Sequence, residues 1–193
     1  MNFKNVTKTQ LMLLVITLIY LIIYTFLYLG RKNYEFLVYI GVVILFLIII
    51  SFLHFKYNFT TGVLAGLSIW GFLHMSGGYF KVGDGVLYSY WIFPFLRYDM
   101  FVHAFGFGFA TLLSYYMIRN YIDYKKVKWI SFSIFLVLIG IGIGGFNEII
   151  EFILVIKLPE TGVGGYNNTM GDMVFNTIGA IIAVVYLNVK KRV

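Results

Sequence analysis

The chain has 193 residues, of which 61% are hydrophobic and 12% charged, with a mean hydropathy of +0.88. Soluble domains carry roughly a quarter charged residues, so this composition excludes a soluble protein and makes the bilayer its solvent. The net charge of +7 comes without a basic stripe of interleaved stacking aromatics, which excludes a nucleic-acid partner, and the absence of cysteine excludes disulfides and thiol chemistry.

The length fits one integral membrane domain over 1–193. A helix needs about 20 apolar residues to cross the hydrocarbon core, and six runs meet that measure: 9–30, 36–55, 57–80, 99–119, 129–156 and 172–189. The first is too evenly apolar for a signal peptide, and no small-residue cleavage site precedes Arg31, so we expect an uncleaved span. Between the third and fourth runs, residues 85–96 are apolar but too short to cross. With Tyr88, Tyr90, Trp91 and Pro94 they read as an interfacial or re-entrant segment. The expected fold is an all-α polytopic transmembrane helical bundle of six spans.

Charge sets the expected orientation. One side collects Lys4, Lys8, Lys56, Arg119, Lys125, Lys126, Lys128, Lys190, Lys191 and Arg192, whereas Arg31, Lys32, Lys81, Arg97 and Lys157 fall on the other. The positive-inside rule then puts both termini in the cytoplasm of a cell-membrane protein. Seven of the eight acids gather towards the extracytoplasmic ends; Asp123 is the exception.

Depth arithmetic brings six polar residues into one layer there. The fourth span starts with Asp99 and carries His103 one turn deeper, and the sixth repeats the spacing with Asp172 and Asn176. The fifth span rises from Trp129, which puts Glu148 about 28 Å and Glu151 about 33 Å along it. An Asp at a helix start also reads as an N-cap. The glutamates, near a helix C-terminus that disfavours acids, have no such reading, and ionisable residues within spans mark functional sites. Arg97 and His74, the latter close to Ser76, are accessory candidates.

Aligned without gaps, DMFVHAFGFGFA (99–110) and DMVFNTIGAIIA (172–183) share Asp, Met, Gly and Ala. One helical stripe reads Asp99, His103, Gly106, Ala110 and the other Asp172, Asn176, Gly179, Ala183. Gly140 and Gly144 on the fifth span add a small-xxx-small face. We therefore expect the fifth span to pack between the fourth and sixth along glycine faces.

The strings LHMSGGYF (73–80), RYDMFVHAFGFG (97–108), NEIIEF (147–152) and GDMVFNTIGA (171–180) resemble the motifs of the YjdF-type family of prokaryotic multi-pass membrane proteins, and more distantly those of VanZ-like proteins. The resemblance covers the motif-bearing core 73–183. The YjdF-type family implies a membrane fold and no established activity; VanZ-like proteins imply a role at the cell envelope in glycopeptide resistance.

Four carboxylates, an imidazole and an amide in a partly dehydrated layer need a compensating positive charge. A divalent cation on His103, Glu148, Glu151 and Asp172 is one solution, with Mg, Mn or Ca favoured by the oxygen-rich set and Zn compatible with it. Three functions follow: a metal-dependent hydrolase or transferase on a lipid or cell-envelope substrate, with Asp99, His103, Glu148, Glu151, Asp172 and Asn176 as its catalytic set; a lipid- or partner-binding module; and a proton- or cation-coupled transporter.

Overall fold

The computed structural model describes residues 6–123 and 125–190. Six helices, α1 (Lys8–Gly30), α2 (Tyr34–Tyr57), α3 (Thr61–Tyr79), α4 (Tyr98–Ile118), α5 (Trp129–Lys157) and α6 (Tyr166–Val189), form the bundle. Side-chain caps start the first three. Thr7 and Gln10 close a capping box on α1, Asn33 caps α2 through the Phe36 amide, and Thr60 caps α3 through the Val63 amide.

All except α3 are long and apolar enough to cross a membrane. The 19 residues of α3 include five glycines, two serines and His74, which lower its hydropathy. The burial pattern is inverted relative to a soluble protein: Phe26, Ile48, Phe152 and Ile182 are each at least 60% exposed, while Asp172 and Asn176 are fully buried. Apolar side chains can face outward in this way where lipid is the surrounding solvent.

Tyrosines hold the first half together. α1 and α3 run parallel, Tyr24 sharing a 2.7 Å hydrogen bond with Ser76 and Tyr28 donating to the Met75 carbonyl at 2.6 Å. These rings join Phe36, Tyr39 and Ile40 of α2 in one buried cluster. At the opposite end of the second half, Tyr115, Phe132, Leu136, Val184 and Leu187 form another.

In the second half, α4 and α6 make the most extensive helix contact and run parallel, with α5 antiparallel to both. α5 therefore does not separate them, contrary to the sequence expectation. It packs into the groove that they form. Gly140 lies against Thr111 and Ala180, and Gly144 against Asn176. At Gly179 a Cβ would collide with the Ala104 carbonyl, and at Gly108 it would come within 3.1 Å of the Gly179 carbonyl oxygen.

The expected stripe on α4 is also corrected. Gly106 faces the Trp70 indole on α3; Ala104 and Gly108 meet α6. One residue along a helix turns the face by about 100°, so the polar stripe and the close-packing stripe of α4 are neighbours and not the same.

The α3–α4 connection is two small antiparallel hairpins. β1 (Lys81–Val82) pairs with β2 (Gly85–Val86), and β3 (Trp91–Phe93) with β4 (Leu96–Arg97). Gly83, with φ +58°, provides the left-handed backbone of the first turn. A 3-10 turn over Leu87–Ser89 joins the hairpins and delivers Tyr88 to the bundle.

Candidate polar site

One end of the bundle collects the N-termini of α4 and α6 and the C-termini of α3 and α5, and the six sequence candidates meet there. His103 is the centre. Its Nε2 lies 3.6 Å from Asp99 Oδ1, while its Nδ1 lies 3.0 Å from Asn176 Oδ1 and 3.7 Å from Glu148 Oε1. Glu151 accepts a hydrogen bond from the Asn147 amide at 2.8 Å.

Asp172 was expected at the start of its helix. α6 begins six residues earlier, at Tyr166, which puts Asp172 about 9 Å inside and removes its reading as an N-cap. Hydropathy counting stopped at Asp172 because Asn167, Asn168 and Thr169 are polar, yet all three are helical. Asp99 is not a cap either, since Arg97 occupies the N-cap position of α4. It sits in the first turn, where a carboxylate complements the helix dipole.

Arg97 lies 3.4 Å from Asp99 and donates to Asn168 Oδ1. The Asn168 amide in turn donates to Asp172 and, at 3.3 Å, to Asp99. Asn168 thus bridges two carboxylates and a guanidinium, a role that sequence reading missed. Glu35 was missed too. It is buried at the start of α2 and accepts the Gly162 amide at 2.7 Å, tying the 158–165 connection across the site.

His74 joins a small cavity that Glu35, Tyr39, Arg97, Asp99 and Glu151 also line. Its Nδ1 is hydrogen-bonded to the Tyr88 hydroxyl. Burial, with the Asp99 and Glu151 charges adding to it, holds the Tyr88 phenol well above its usual pKa, so it stays protonated and able to donate. Ser76 turns away from His74 towards Tyr24 and the Phe72 carbonyl.

Several buried oxygens have no hydrogen-bond partner among the described residues: both of Glu148 and Oδ1 of Asp172. Glu148 is 8% exposed and Asp172 fully buried. Desolvated oxygens of this kind are costly unless something satisfies them. Two trios sharing His103, Asp99–His103–Asp172 and His103–Glu148–Glu151, each offer ligand atoms within 4.8 Å of one another. Ligands on opposite sides of a cation bound at 2.3–2.6 Å are roughly 4.6–5.2 Å apart, so either trio has the dimensions of a partial coordination shell.

A bundle of lipid-compatible helices around a buried polar cluster defines a multi-pass integral membrane protein. The chain belongs to the YjdF-type family of predicted membrane proteins, DUF2238, whose family model matches residues 10–192. The match extends beyond the motif-bearing core to the first two helices, and it gives no support to the more distant VanZ-like resemblance. No curated protein and no solved structure matches the chain significantly.

Proposed function

We propose that the cluster around His103 holds a divalent cation, of the Mg, Mn, Ca or Zn class, and that the protein uses it in hydrolysis or group transfer on a lipid or cell-envelope substrate. The buried oxygens of Glu148 and Asp172 Oδ1 carry this reading, because a cation would satisfy atoms that make no close hydrogen bond among the described residues. Such a cation would polarise a substrate oxygen or lower the pKa of a bound water. His103, Glu148, Glu151, Asp172 and Asp99 are its proposed ligands, and Asn176 and Arg97 position them. The ten-to-five division of cations along the chain supports a site on the extracytoplasmic side with both termini in the cytoplasm.

The test is metal analysis of protein purified without chelator, followed by titration of chelator-stripped protein with Mn²⁺ monitored by electron paramagnetic resonance. One bound ion per chain, lost in Glu148→Gln, is the expected result. Equal and weak binding by wild type and variant would overturn the reading.

A further inference from the structure

A second cavity, of about 310 Å³, lies away from the polar cluster and is walled by α1–α4. Along α2 it runs from Val43 to His54, about 16 Å at 1.5 Å per residue. That length is close to one leaflet of a hydrocarbon core roughly 30 Å thick. Several polar groups on its wall are already engaged. Thr17 and Ser68 share a 2.6 Å hydrogen bond, Tyr20 donates to the Ser68 carbonyl, and the Gln10 amide donates to the Phe59 carbonyl. Hydrocarbon suits such a slot better than a headgroup does.

The slot reaches the lipid-facing surface, because Leu11 and Ile49 line it and are 56% and 42% exposed. Its outer end, at Val6, Gln10, His54 and Phe55, lies where α1 begins and α2 finishes, opposite the polar site. Charge at that end favours an anion. Lys8 stands two residues from Gln10 and Lys56 next to Phe55, while Asp123, the single acid on that side, pairs with Lys126 at 3.5 Å. His54 adds a donor. Its Nδ1 accepts the Phe59 amide at 3.1 Å, which puts the ring proton on Nε2, and this buried atom has no hydrogen bond among the described residues.

We propose that this cavity holds one acyl chain of an anionic phospholipid from the leaflet at that end of the bundle. The ester carbonyl accepts from His54 Nε2, and the phosphate lies between Lys8 and Lys56. The chain runs inward towards Val43 and Trp70, and the second chain stays in the bilayer beside Leu11 and Ile49. This site is independent of the cation reading, since the two cavities share no lining residue.

Photolabelling tests it on the full chain in phosphatidylcholine nanodiscs, with phosphatidylglycerol or phosphatidylcholine as the probe, each carrying a diazirine at the end of one acyl chain. Phosphatidylglycerol crosslinks mapped by mass spectrometry should fall on Val43, Leu47, Trp70 or Phe107, and phosphatidylcholine should label these positions less. Lys8→Gln and Lys56→Gln should each lower the phosphatidylglycerol signal roughly fivefold. An ether-linked phosphatidylglycerol probe, which lacks the carbonyl, should label roughly 2- to 10-fold less; equal labelling would overturn the placement of the ester at His54. Ala110→Phe, which narrows the cavity, should abolish the signal, and Val185→Phe, on an exposed face, should leave it unchanged. Crosslinks spread over exposed Ile22, Phe26 and Ile182 in the wild type, or equal cavity labelling by the two headgroups, would overturn the proposal whether or not a variant folds.

Discussion

Asn176 Oδ1 sits 3.0 Å from His103 Nδ1. A carbonyl oxygen can only accept, so this contact requires the proton on Nδ1 and leaves the lone pair of the neutral ring on Nε2, which faces Asp99. Of the two trios that share His103, the contact favours Asp99–His103–Asp172 as the set that uses the imidazole as a ligand. Glu148 and Glu151 are then placed to add oxygen ligands or to bind a water. Asn176→Leu removes the tautomer control without touching a ligand and should weaken Mn²⁺ binding by about 10- to 100-fold, as measured in the titration described above. Asn176→His should not restore it.

Glu148 sets stability against the proposed cation site. Its buried oxygens have no hydrogen bond among the described residues, so Glu148→Leu should raise stability in metal-free protein by about 1–3 kcal/mol, read as a higher melting temperature in detergent. The same change should abolish cation binding. Leu136→Ala, at a fully buried position, should cost about 2–5 kcal/mol and leave binding intact in the folded fraction.

The α4–α6 contact gives a sharp steric test. Gly179→Ala directs a methyl group into the Ala104 carbonyl and should destabilise the protein by roughly 1–3 kcal/mol. Gly142→Ala, with open space around the added carbon, should be neutral or slightly stabilising, since alanine favours helix by up to about 1 kcal/mol. Thermal unfolding of the two variants side by side checks both.

Glu35 holds the 158–165 connection through the Gly162 amide. Glu35→Ala should remove a charge-assisted hydrogen bond of about 1.5–3 kcal/mol. Amide exchange at residues 160–164 should speed up, with exchange in α4 and α6 unaffected.

Orientation can be read chemically because the chain has no cysteine. In intact cells a membrane-impermeant maleimide should label Thr161→Cys and spare Asn120→Cys until the membrane is opened. The reverse pattern would place the termini outside.

The helices and the six clustered side chains were legible in the sequence for one physical reason. A helix is a rod of fixed rise, so Asp99 and His103, Asp172 and Asn176, and Glu148 and Glu151 share depth once the spans are found. Glu35 escaped because an acid in the first turn of a helix already has an explanation in the dipole. Asn168 escaped because hydropathy counting stops before a polar first turn. Tyr88 lies between strands of two and three residues, too short for any periodicity to register. The rotation that separates the Gly106 face from the Ala104–Gly108 face depends on which neighbour each side meets, and spacing alone does not state that.

Close backbone approach at Gly179 and Ala104 has a bearing on ion choice. The contact lies just below Asn176 and His103, so the distance between the proposed ligands on α4 and α6 is held by main chain and cannot shrink by side-chain adjustment alone. A cage of set width discriminates by ionic radius. An ion with bonds of about 2.3–2.6 Å would be held without helix movement, whereas Mg²⁺, at about 2.0–2.1 Å, would have to span the difference through its own waters. In a competition experiment Ca²⁺ should therefore displace Mg²⁺, and Gly179→Ala, by prising the helices apart, should weaken the smaller ions first.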